Sequence, residues 1–454
     1  MTQFTITELG KFHGSVSVPQ ISGKNVVWRN SNANESKIFF YNGNKTIEIS
    51  NTDGSNPQIS GDKVVWSGVD SEGDREIFVY NGKETIQLTD NSVDDIYPQI
   101  SGDNIVWNVD TTKGMTIFLD DGQNIIQLNN ENSSNTWPKI FGDNVAWTTH
   151  DPDKKTELFL YNGEETIQVS QNLYQHIYRF QISEDNVVWT ALDSTGKKQI
   201  FLYDSEKTIQ ISGNDKTKNY SSSVKIKKDI WQDKLSSPEN KTFFNYSKKT
   251  IQLGRIMNDI FGGDTNYYDP QISGKNVIWK SERNLFLYNG RESIKLDNKG
   301  KDVYGSSLKI SGNNIVWKAD DSDGDKEIFF HGGEGTIQLT NNNVIDYAPQ
   351  ISGHNTVWVN GGNPSSEIFF SNGTEVLQIT NNNTNDVLPY IDGNNIVWLN
   401  KDELITSVML ATFNDTKSSS TPQSDRPTQI MNTSAILVLG LIFVYLCQKL
   451  IANS

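Results

Sequence analysis

Ten times along the chain, a short apolar run ends in tryptophan and follows a polar turn that usually reads Ser-Gly-x-Asn. Successive tryptophans lie between 38 residues (Trp28 to Trp66) and 48 residues (Trp231 to Trp279) apart. A period near forty residues indicates one supersecondary unit repeated in tandem, as in solenoids and propellers. The ten tryptophans are Trp28, Trp66, Trp107, Trp147, Trp189, Trp231, Trp279, Trp317, Trp358 and Trp398.

Each unit contains four short apolar pieces, which we name strands A to D. In the second unit they cover residues 57–59, 63–66, 76–80 and 85–89, and they are rich in β-branched and aromatic residues. Asn-Gly joins strands C and D in several units and favours a tight antiparallel hairpin. The repeats show no apolar stripe of period 3.6, so the pattern predicts an all-β fold.

Strand C predicts how the sheets stack on one another. In the second unit it reads Ile-Phe-Val-Tyr, which is apolar at every position, so both of its faces must be covered. Four-stranded antiparallel sheets covered on both sides by copies of themselves are propeller blades. Strand D alternates apolar and polar residues, as in Thr-Ile-Gln-Leu-Thr, which suits an outer edge.

The two ends of the repeat region predict a closed ring. The tenth unit lacks a strand D, and residues 4–9 resemble one. We expect residues 4–9 to run antiparallel to the last strand C (residues 404–410), because this pairing leaves no open edge. An open solenoid would need polar capping repeats, and none is visible. The sequence predicts about ten four-stranded blades within residues 1–414, with a single ring favoured over two smaller rings.

The repeats resemble those of TolB-type β-propellers, and through them the propellers of tricorn-like and prolyl-oligopeptidase-like proteins. The matching elements are the D-x-x-P start of strand A (residues 95–98, 346–349 and 386–389), the E-I-F strand and the T-I-Q-L-T strand. The A–B turn departs from this group, with S-G-D-N where the group often has S-P-D-G. The resemblance covers residues 4–414 and implies a propeller fold. It implies no activity, because such propellers serve as scaffolds, surface proteins and domains appended to hydrolases.

The composition changes after residue 414. Residues 415–433 are polar and predict a flexible linker, whereas residues 434–452 are almost wholly apolar and predict a transmembrane or sorting helix. A short helix packed on the propeller is the alternative. The N-terminus shows neither a basic region nor an apolar core of a signal peptide. We therefore expect a membrane-anchored protein, with the cell surface as the favoured location.

Charge and cysteine content narrow the range of partners. The formal net charge is −15, and an acidic surface repels phosphate backbones, so we expect no nucleic-acid partner. The only cysteine, Cys447, lies in the C-terminal apolar segment, so the repeats have neither a disulfide nor a thiol nucleophile. The sequence has no H-E-x-x-H motif, G-x-S-x-G motif or P-loop.

Two B–C loops alternate carboxylates in a way that could bind Ca²⁺. The clearer loop runs from Asp321 through Asp323 and Asp325 to Glu327, and residues 70–76 show a similar alternation of carboxylates. Oxygen ligands at alternate positions of a turn can converge on Ca²⁺, although Lys326 stands where an EF-hand loop has glycine. The alternative is that Asp, Ser and Gly simply form hairpin turns. Calcium is the only cofactor that the sequence suggests.

The D–A connections combine aromatic and acidic residues on the face that they share with the B–C loops. Such side chains could stack on and hydrogen-bond a sugar or a peptide, or could only pack between blades. We therefore predict a membrane-tethered binding or scaffold protein with a protein or glycan ligand. The alternatives are a hydrolase with its site at the central channel and a purely structural surface protein. The candidate ligand-binding residues are Asp95, Tyr97, Tyr268, Tyr304, Asp346 and Tyr347.

Overall fold

The computed structural model describes residues 3–414, except for residues 112–113, 130–137, 150–155, 171–176, 194–195, 214–218, 221–223, 227–266, 282–283, 297–302, 305–306, 334 and 363. Over these ranges the chain forms nine antiparallel sheets and no α-helix. The all-β propeller fold predicted from the repeats is confirmed. We number the sheets as blades 1 to 9 in chain order.

Strands A and B form the inner half of every blade. The A strands are β3 (Gln20–Ser22), β7 (Gly54–Ser60), β11 (Asp94–Ser101), β15 (Lys139–Phe141), β19 (Ile177–Ser183), β25 (Tyr267–Ser273), β29 (Lys309–Ser311), β33 (Asp346–Ser352) and β37 (Asn385–Asp392). The B strands are β4 (Asn25–Ser31), β8 (Lys63–Val69), β12 (Asn104–Thr111), β16 (Asn144–Thr149), β20 (Asn186–Leu192), β26 (Asn276–Ser281), β30 (Asn314–Asp320), β34 (Asn355–Asn360) and β38 (Asn395–Lys401).

Strands C and D form the outer half. The C strands are β5 (Ser36–Tyr41), β9 (Arg75–Tyr80), β13 (Gly114–Asp120), β17 (Glu157–Tyr161), β21 (Lys198–Asp204), β27 (Asn284–Tyr288), β31 (Lys326–His331), β35 (Glu367–Ser371) and β39 (Thr406–Asn414). The D strands are β6 (Thr46–Glu48), β10 (Thr85–Gln87), β14 (Ile125–Gln127), β18 (Thr166–Gln168), β22 (Thr208–Gln210), β28 (Ser293–Leu296), β32 (Thr336–Gln338), β36 (Val376–Gln378) and, for blade 9, β1 (Gln3–Phe12).

Three short strands complete the sheets. Strand β2 (Ser15–Val16) pairs with β4 in blade 1, next to the A strand β3. Strands β23 (Asn219–Tyr220) and β24 (Val224–Ile226) pair antiparallel with β22 and β18. They therefore lie outside the D strands of blades 5 and 4.

The tryptophan within each B strand fills the space between two blades. Trp66 of blade 2 is fully buried and stacks on Phe78 of the same blade at 5.9 Å and 13°. Its core cluster also contains Val27, Ile38 and Phe40 of blade 1. Because such a large apolar side chain is needed in every gap, the tryptophan recurs once per unit.

The Ser-Gly-x-Asn turn joins each blade to the next one. Ser22 Oγ accepts a hydrogen bond from the amide of Gly61 (2.9 Å), and Asn25 Nδ2 donates to the Gly61 carbonyl (2.9 Å). One or both of these bonds recur from blade to blade. They join Ser60 to Gly102, Ser101 and Asn104 to Gly142, Asn144 to Glu184, Ser183 and Asn186 to Gly274, Ser273 and Asn276 to Gly312, Ser311 and Asn314 to Gly353, and Ser352 and Asn355 to Gly393.

These turns show that the ring has nine blades rather than the ten predicted. Ser183 and Asn186 of blade 5 bind Gly274 directly, so blade 5 is adjacent to the blade that contains Trp279. The sixth phrase, which ends at Trp231, contributes no blade between them and lies outside the described residues. The ring closes where Asp392 of blade 9 accepts a hydrogen bond from the Gly23 amide of blade 1 (2.6 Å). A single ring is therefore confirmed and two smaller rings are excluded.

The N-terminal strand supplies the missing strand D, as predicted. Strand β1 pairs with β39, with Phe4 against Phe413 at one end (ring centroids 5.7 Å) and Glu8 near Ser407 at the other (3.4 Å). The two strands therefore run antiparallel. Thr46 of blade 1 donates a hydrogen bond to the Leu9 carbonyl (2.6 Å), just as Thr85 of blade 2 donates to a carbonyl at the end of the D strand of blade 1.

The C-terminal predictions concern residues that the structure does not describe. Both the linker (residues 415–433) and the proposed transmembrane helix (residues 434–452) lie outside the described residues. Within residues 3–414, outside the gaps given above, no helix is long and apolar enough to span a bilayer.

Candidate functional site

The innermost strands and the D–A connections form the candidate site. Consecutive A strands approach one another all around the ring, so they line its centre. Because the four strands of a blade alternate in direction, the D–A and B–C loops lie on one face, which we call the loop face. The A–B and C–D turns lie on the opposite face. All six residues predicted to bind a ligand lie on or near the D–A connections.

Asp95, a predicted ligand-binding residue, is buried between blades 2 and 3. It lies at the start of strand β11 and is only 1% exposed. Its Oδ1 accepts a hydrogen bond from Trp107 Nε1 (2.6 Å), and its Oδ2 accepts one from Asn91 Nδ2 (2.5 Å). The backbone N–H of Asn91 also donates to Glu76 Oε1 on strand β9 (2.8 Å). Asn91 therefore bridges two buried carboxyl groups from neighbouring blades.

The same carboxyl pair recurs twice around the ring. Between blades 7 and 8, Asn342 bridges Glu327 (2.9 Å) and Asp346 (3.2 Å). Between blades 8 and 9, Asn382 bridges Glu367 (3.2 Å) and Asp386 (2.7 Å). The motifs E-I-F and D-x-x-P, which lie on different strands in the sequence, thus meet between blades.

Burial raises the pKa of four of these carboxyl groups. It raises the pKa of Asp95 to about 7, and the neighbouring Glu76 carboxyl adds to the effect. It also raises the pKa of Glu327 to about 7, with Asp346 adding to the effect, and the pKa values of Asp346 and Asp386 are raised for the same reason. In the Glu327–Asp346 pair, where the pKa of both groups is raised, the arrangement favours one bound proton, because two adjacent buried carboxylates repel each other.

One oxygen of each glutamate is buried without a donor. These atoms are Oε2 of Glu76, Glu327 and Glu367, and none has a hydrogen-bond partner among the described residues. A buried oxygen without a partner is costly, and in the Glu327–Asp346 pair a proton held between the two carboxyl groups would satisfy it. Through the bridging asparagines, the three pairs link neighbouring blades near the loop face.

The residue before the strand-A proline is exposed and apolar in three blades. These residues are Val18 in blade 1 (40% exposed), Tyr97 in blade 3 (39%) and Leu388 in blade 9 (37%). The pairing register of strands A and B shifts at Tyr97 and Leu388, because proline cannot donate to the ladder. Sequence analysis identified Tyr97 from its aromatic ring but missed Val18 and Leu388. The signal that would have found them is their position before the proline.

In four blades the residue directly before the strand-A proline adopts a left-handed conformation. Tyr97 and Leu388 have φ of 55° and 56°, and Asn56 and Ala348 have φ of 52° and 53°. This conformation costs about 1 kcal/mol or more for a residue other than glycine. It turns the side chain out of the normal alternation of the strand. The strain is thus placed at one repeated position on the innermost strands.

The other predicted aromatic residues have separate environments. Tyr304 donates its hydroxyl hydrogen bond to Asp320 (3.0 Å), and Lys318 lies over its ring at 4.8 Å. Tyr347 is half-buried against the core between blades 8 and 9. Tyr268 lies in strand β25, but its side chain is outside the described residues. The structure therefore does not bring the six residues together into one cluster, and their binding of a ligand stays a prediction.

The predicted calcium loop is an ordinary hydrogen-bonded turn in this structure. Asp321 Oδ1 accepts hydrogen bonds from the amides of Asp323 (2.9 Å) and Asp325 (3.0 Å), while Glu327 belongs to a buried carboxyl pair. Asp70 makes the same turn in blade 2. Among the described residues, no three His, Cys, Asp or Glu side chains are placed to hold a metal ion. Calcium binding stays a prediction.

A cavity of about 310 Å³ lies at the centre, between the A strands of blades 9, 1 and 2. It is lined by Val18, Gln20, Ile21, Gln58 and Tyr390. Gln20 Nε2 donates to the Pro57 carbonyl of the next blade (3.0 Å), and Gln99 donates likewise to Pro138 (2.6 Å). The inner wall thus combines amide groups with apolar and aromatic side chains, as binding cavities commonly do.

No protein-family model and no curated protein matches the sequence. Solved structures similar to this chain include the tricorn protease, at 12% identity and a TM-score of 0.35 over 84% of this chain and 41% of that protein. Another is the β-propeller domain of the Trilobed protease from Pyrococcus furiosus, at 12% identity and 0.39, covering 81% of this chain and 96% of that domain. A putative TolB from Agrobacterium tumefaciens matches at 13% identity and 0.31, covering 46% and 88%.

By its own sheet topology the chain is a β-propeller. Its repeat motifs resemble those of TolB-type and tricorn-like propellers. It spans less than half the length of the tricorn protease, and the protease activities belong to those proteins.

Proposed function

We propose that this propeller is a binding module that engages a protein or glycan ligand through the inner part of its loop face. The observation that carries this proposal is the exposure of Val18, Tyr97 and Leu388 at one repeated position on the innermost strands. Two of these residues have strained backbones, and strain of this kind clusters at functional sites. Apolar and aromatic side chains that are more than a third exposed are suited to contact a ligand.

Further exposed apolar residues extend this surface. Val93, Tyr178 and Ile345 lie on or beside the D–A connections of blades 3, 5 and 8. Lys198 lies 4.8 Å above the Tyr178 ring, so cationic and aromatic groups occur together. The surface therefore combines apolar, aromatic and cationic groups, which suits a peptide or a sugar.

The hydrolase alternative has less support. It requires titratable groups with perturbed pKa values at the mouth of the channel. The carboxyl groups with clearly raised pKa include Asp95, Glu327, Asp346 and Asp386, and all four are buried between blades with hydrogen-bond partners. Their burial accounts for the raised pKa without a catalytic role.

Membrane tethering is a second part of the proposal. The apolar run of residues 434–452, preceded by a polar linker, supports it. A tether would hold the propeller close to a membrane.

The binding proposal can be tested with a glycan array and a peptide array probed with the full-length protein. We expect a set of related ligands whose signal falls at least tenfold in Tyr97→Ser/Leu388→Ser. The matched control is Phe141→Ser, because Phe141 is 44% exposed on an A–B turn of the opposite face. Equal signals for the double variant and the wild type would reject the loop face as the binding surface.

A further inference from the structure

The outermost strands carry one tripeptide in two different settings. Thr-Ile-Gln forms the D strand of blades 2, 4, 5 and 7. In blade 4 this strand, β18, pairs antiparallel with β24, and in blade 5 strand β22 pairs antiparallel with β23. In blades 2 and 7 the D strand is the last strand of its sheet among the described residues. The chain thus contains covered and uncovered copies of the same strand.

Burial follows this difference. The central isoleucine is 4% exposed in blade 4 (Ile167) and in blade 5 (Ile209). It is 45% exposed in blade 2 (Ile86) and 47% exposed in blade 7 (Ile337). Because the tripeptide is the same in all four blades, the difference in exposure comes from the surroundings of the strand and not from its sequence.

The backbone of the uncovered edge is arranged to accept a strand. In blade 2 the Leu88 amide donates inward to the Ile77 carbonyl (2.7 Å). Amide groups alternate in direction along a strand, so the amides of Gln87 and Thr85 point away from the sheet. An outward row of amides and carbonyls is a template for one more strand.

The occupied edge of blade 4 indicates which kind of strand fits. Lys225 lies opposite Ile167, between Ile226 opposite Thr166 and Val224 opposite Gln168. Blade 4 reads Glu-Thr-Ile-Gln at residues 165–168, and blade 2 repeats this sequence at residues 84–87. The net charge of −15 also favours a basic partner.

We propose that the Glu84–Gln87 edge of blade 2 binds an extended basic segment of a partner polypeptide, in the same way that the edge of blade 4 binds Val224–Ile226. The partner segment would add a fifth, antiparallel strand and cover Ile86. Main-chain hydrogen bonds would give affinity, and its central basic residue would favour this acidic protein. This surface lies on the outer rim, so the proposal does not rest on the loop-face function.

The test uses the full-length protein and a fluorescent peptide with the sequence Ser-Ser-Val-Lys-Ile-Lys, which is that of residues 222–227. Fluorescence anisotropy should show saturable binding to the wild type. Gln87→Pro removes the outward amide without removing an inward hydrogen bond, and we expect it to weaken binding at least tenfold. Gln87→Val keeps the amide and should bind as the wild type does. Circular dichroism and melting curves would show that both variants are folded.

Several outcomes would overturn the proposal. The absence of saturable binding up to millimolar peptide would remove the edge as a docking site. Equal binding by Gln87→Pro and Gln87→Val would place the peptide elsewhere on the protein. Equal binding of a peptide with Glu in place of the central Lys would reject the basic partner. Self-association of the wild type that Gln87→Pro abolishes would identify a second copy of the chain as the occupant instead.

Discussion

At the scale of single residues, each position of the Ser-Gly-x-Asn turn has a separate task. Serine accepts and asparagine donates, and both bonds go to the backbone of the glycine in the next blade, as from Ser22 and Asn25 to Gly61. Gly61 itself has a φ of 61°, which glycine adopts without strain. The sequence predicted a turn here. It did not predict the contact between blades, because the partner lies about one repeat away along the chain.

The carboxyl pairs were also only half predictable from the sequence. Asp95 and Asp346 were predicted to bind a ligand because acidic residues beside aromatic ones suit a ligand site. Their burial depends on Asn91 and Asn342, which supply the bridging hydrogen bonds from the D–A loops. Burial and hydrogen-bond partners are tertiary properties, and periodicity in one sequence does not reveal them.

The raised carboxyl pKa values predict that stability falls as pH rises. A carboxyl group with a raised folded-state pKa contributes stability that is fully present below the unfolded pKa near 4. That stability is lost as pH rises through the folded pKa of about 7. Glu327→Gln should reduce this loss by up to about 1.4 kcal/mol per pH unit between pH 4.5 and 7. Urea unfolding at several pH values measures this.

The control for this experiment is Glu72→Gln, which neutralises an exposed glutamate on a B–C loop. It should leave the pH dependence of unfolding close to that of the wild type. A Glu327→Gln protein with the same pH dependence as the wild type would show that the Glu327–Asp346 pair does not hold a proton.

A comparison of two tryptophans measures how much one hydrogen bond contributes to the free energy of unfolding. Trp66 and Trp107 are both buried and both stack on a phenylalanine, but only Trp107 donates to a carboxyl group, that of Asp95. Trp66 Nε1 is buried without an acceptor among the described residues. Trp107→Phe should therefore cost about 1.5–3 kcal/mol more than Trp66→Phe in the free energy of unfolding. Equal costs in urea unfolding would contradict this assignment.

At the scale of elements, the strands were predicted well because the burial of each strand face determines whether its residues are apolar or polar. Strand C is buried on both sides, so it is apolar throughout, and strand D alternates because it forms the outer edge. The shift in register before the proline of strand A was not predicted. It arises from the missing amide of proline, and it places Tyr97 and Leu388 in left-handed conformations.

Deleting the first nine residues should open the ring at its closing strand. This change removes Phe4 and Leu9, which pack against Phe413 and the core between blades 9 and 1. It also exposes the edge of strand β39. We expect a lower melting temperature and aggregation, measured by differential scanning fluorimetry and size-exclusion chromatography. Removal of residues 1–2 alone is the control, and a nine-residue deletion that stays monomeric with unchanged melting would reject closure by β1.

At the scale of the whole molecule, the blade number could not be counted from tryptophans alone. The sixth phrase keeps Trp231 but loses the turn, with Lys225, Ile226 and Lys228 where Ser273, Gly274 and Asn276 stand in the next unit. These are the residues that bind one blade to the next. Every other unit keeps at least two of the three turn residues and the sixth keeps none, so a count of turn residues would have separated the sixth unit from the others.

The C-terminal apolar run predicts the behaviour of the full chain in a cell. The full chain should remain with membranes after a carbonate wash, because residues 434–452 are long enough and apolar enough to span a bilayer. A chain ending at residue 414 should be recovered in the soluble fraction and serves as the control. Recovery of the full chain in the soluble fraction would reject the anchor.

The number of blades in the ring is the measurement that tests this account most directly. Single-particle electron microscopy of the protein viewed along the ring axis should show nine blades around one centre. It should also show extra density outside blades 4 and 5, where β24 and β23 lie. A ring of ten blades, or two smaller rings, would contradict the direct contact of Ser183 with Gly274 and the architecture derived from it.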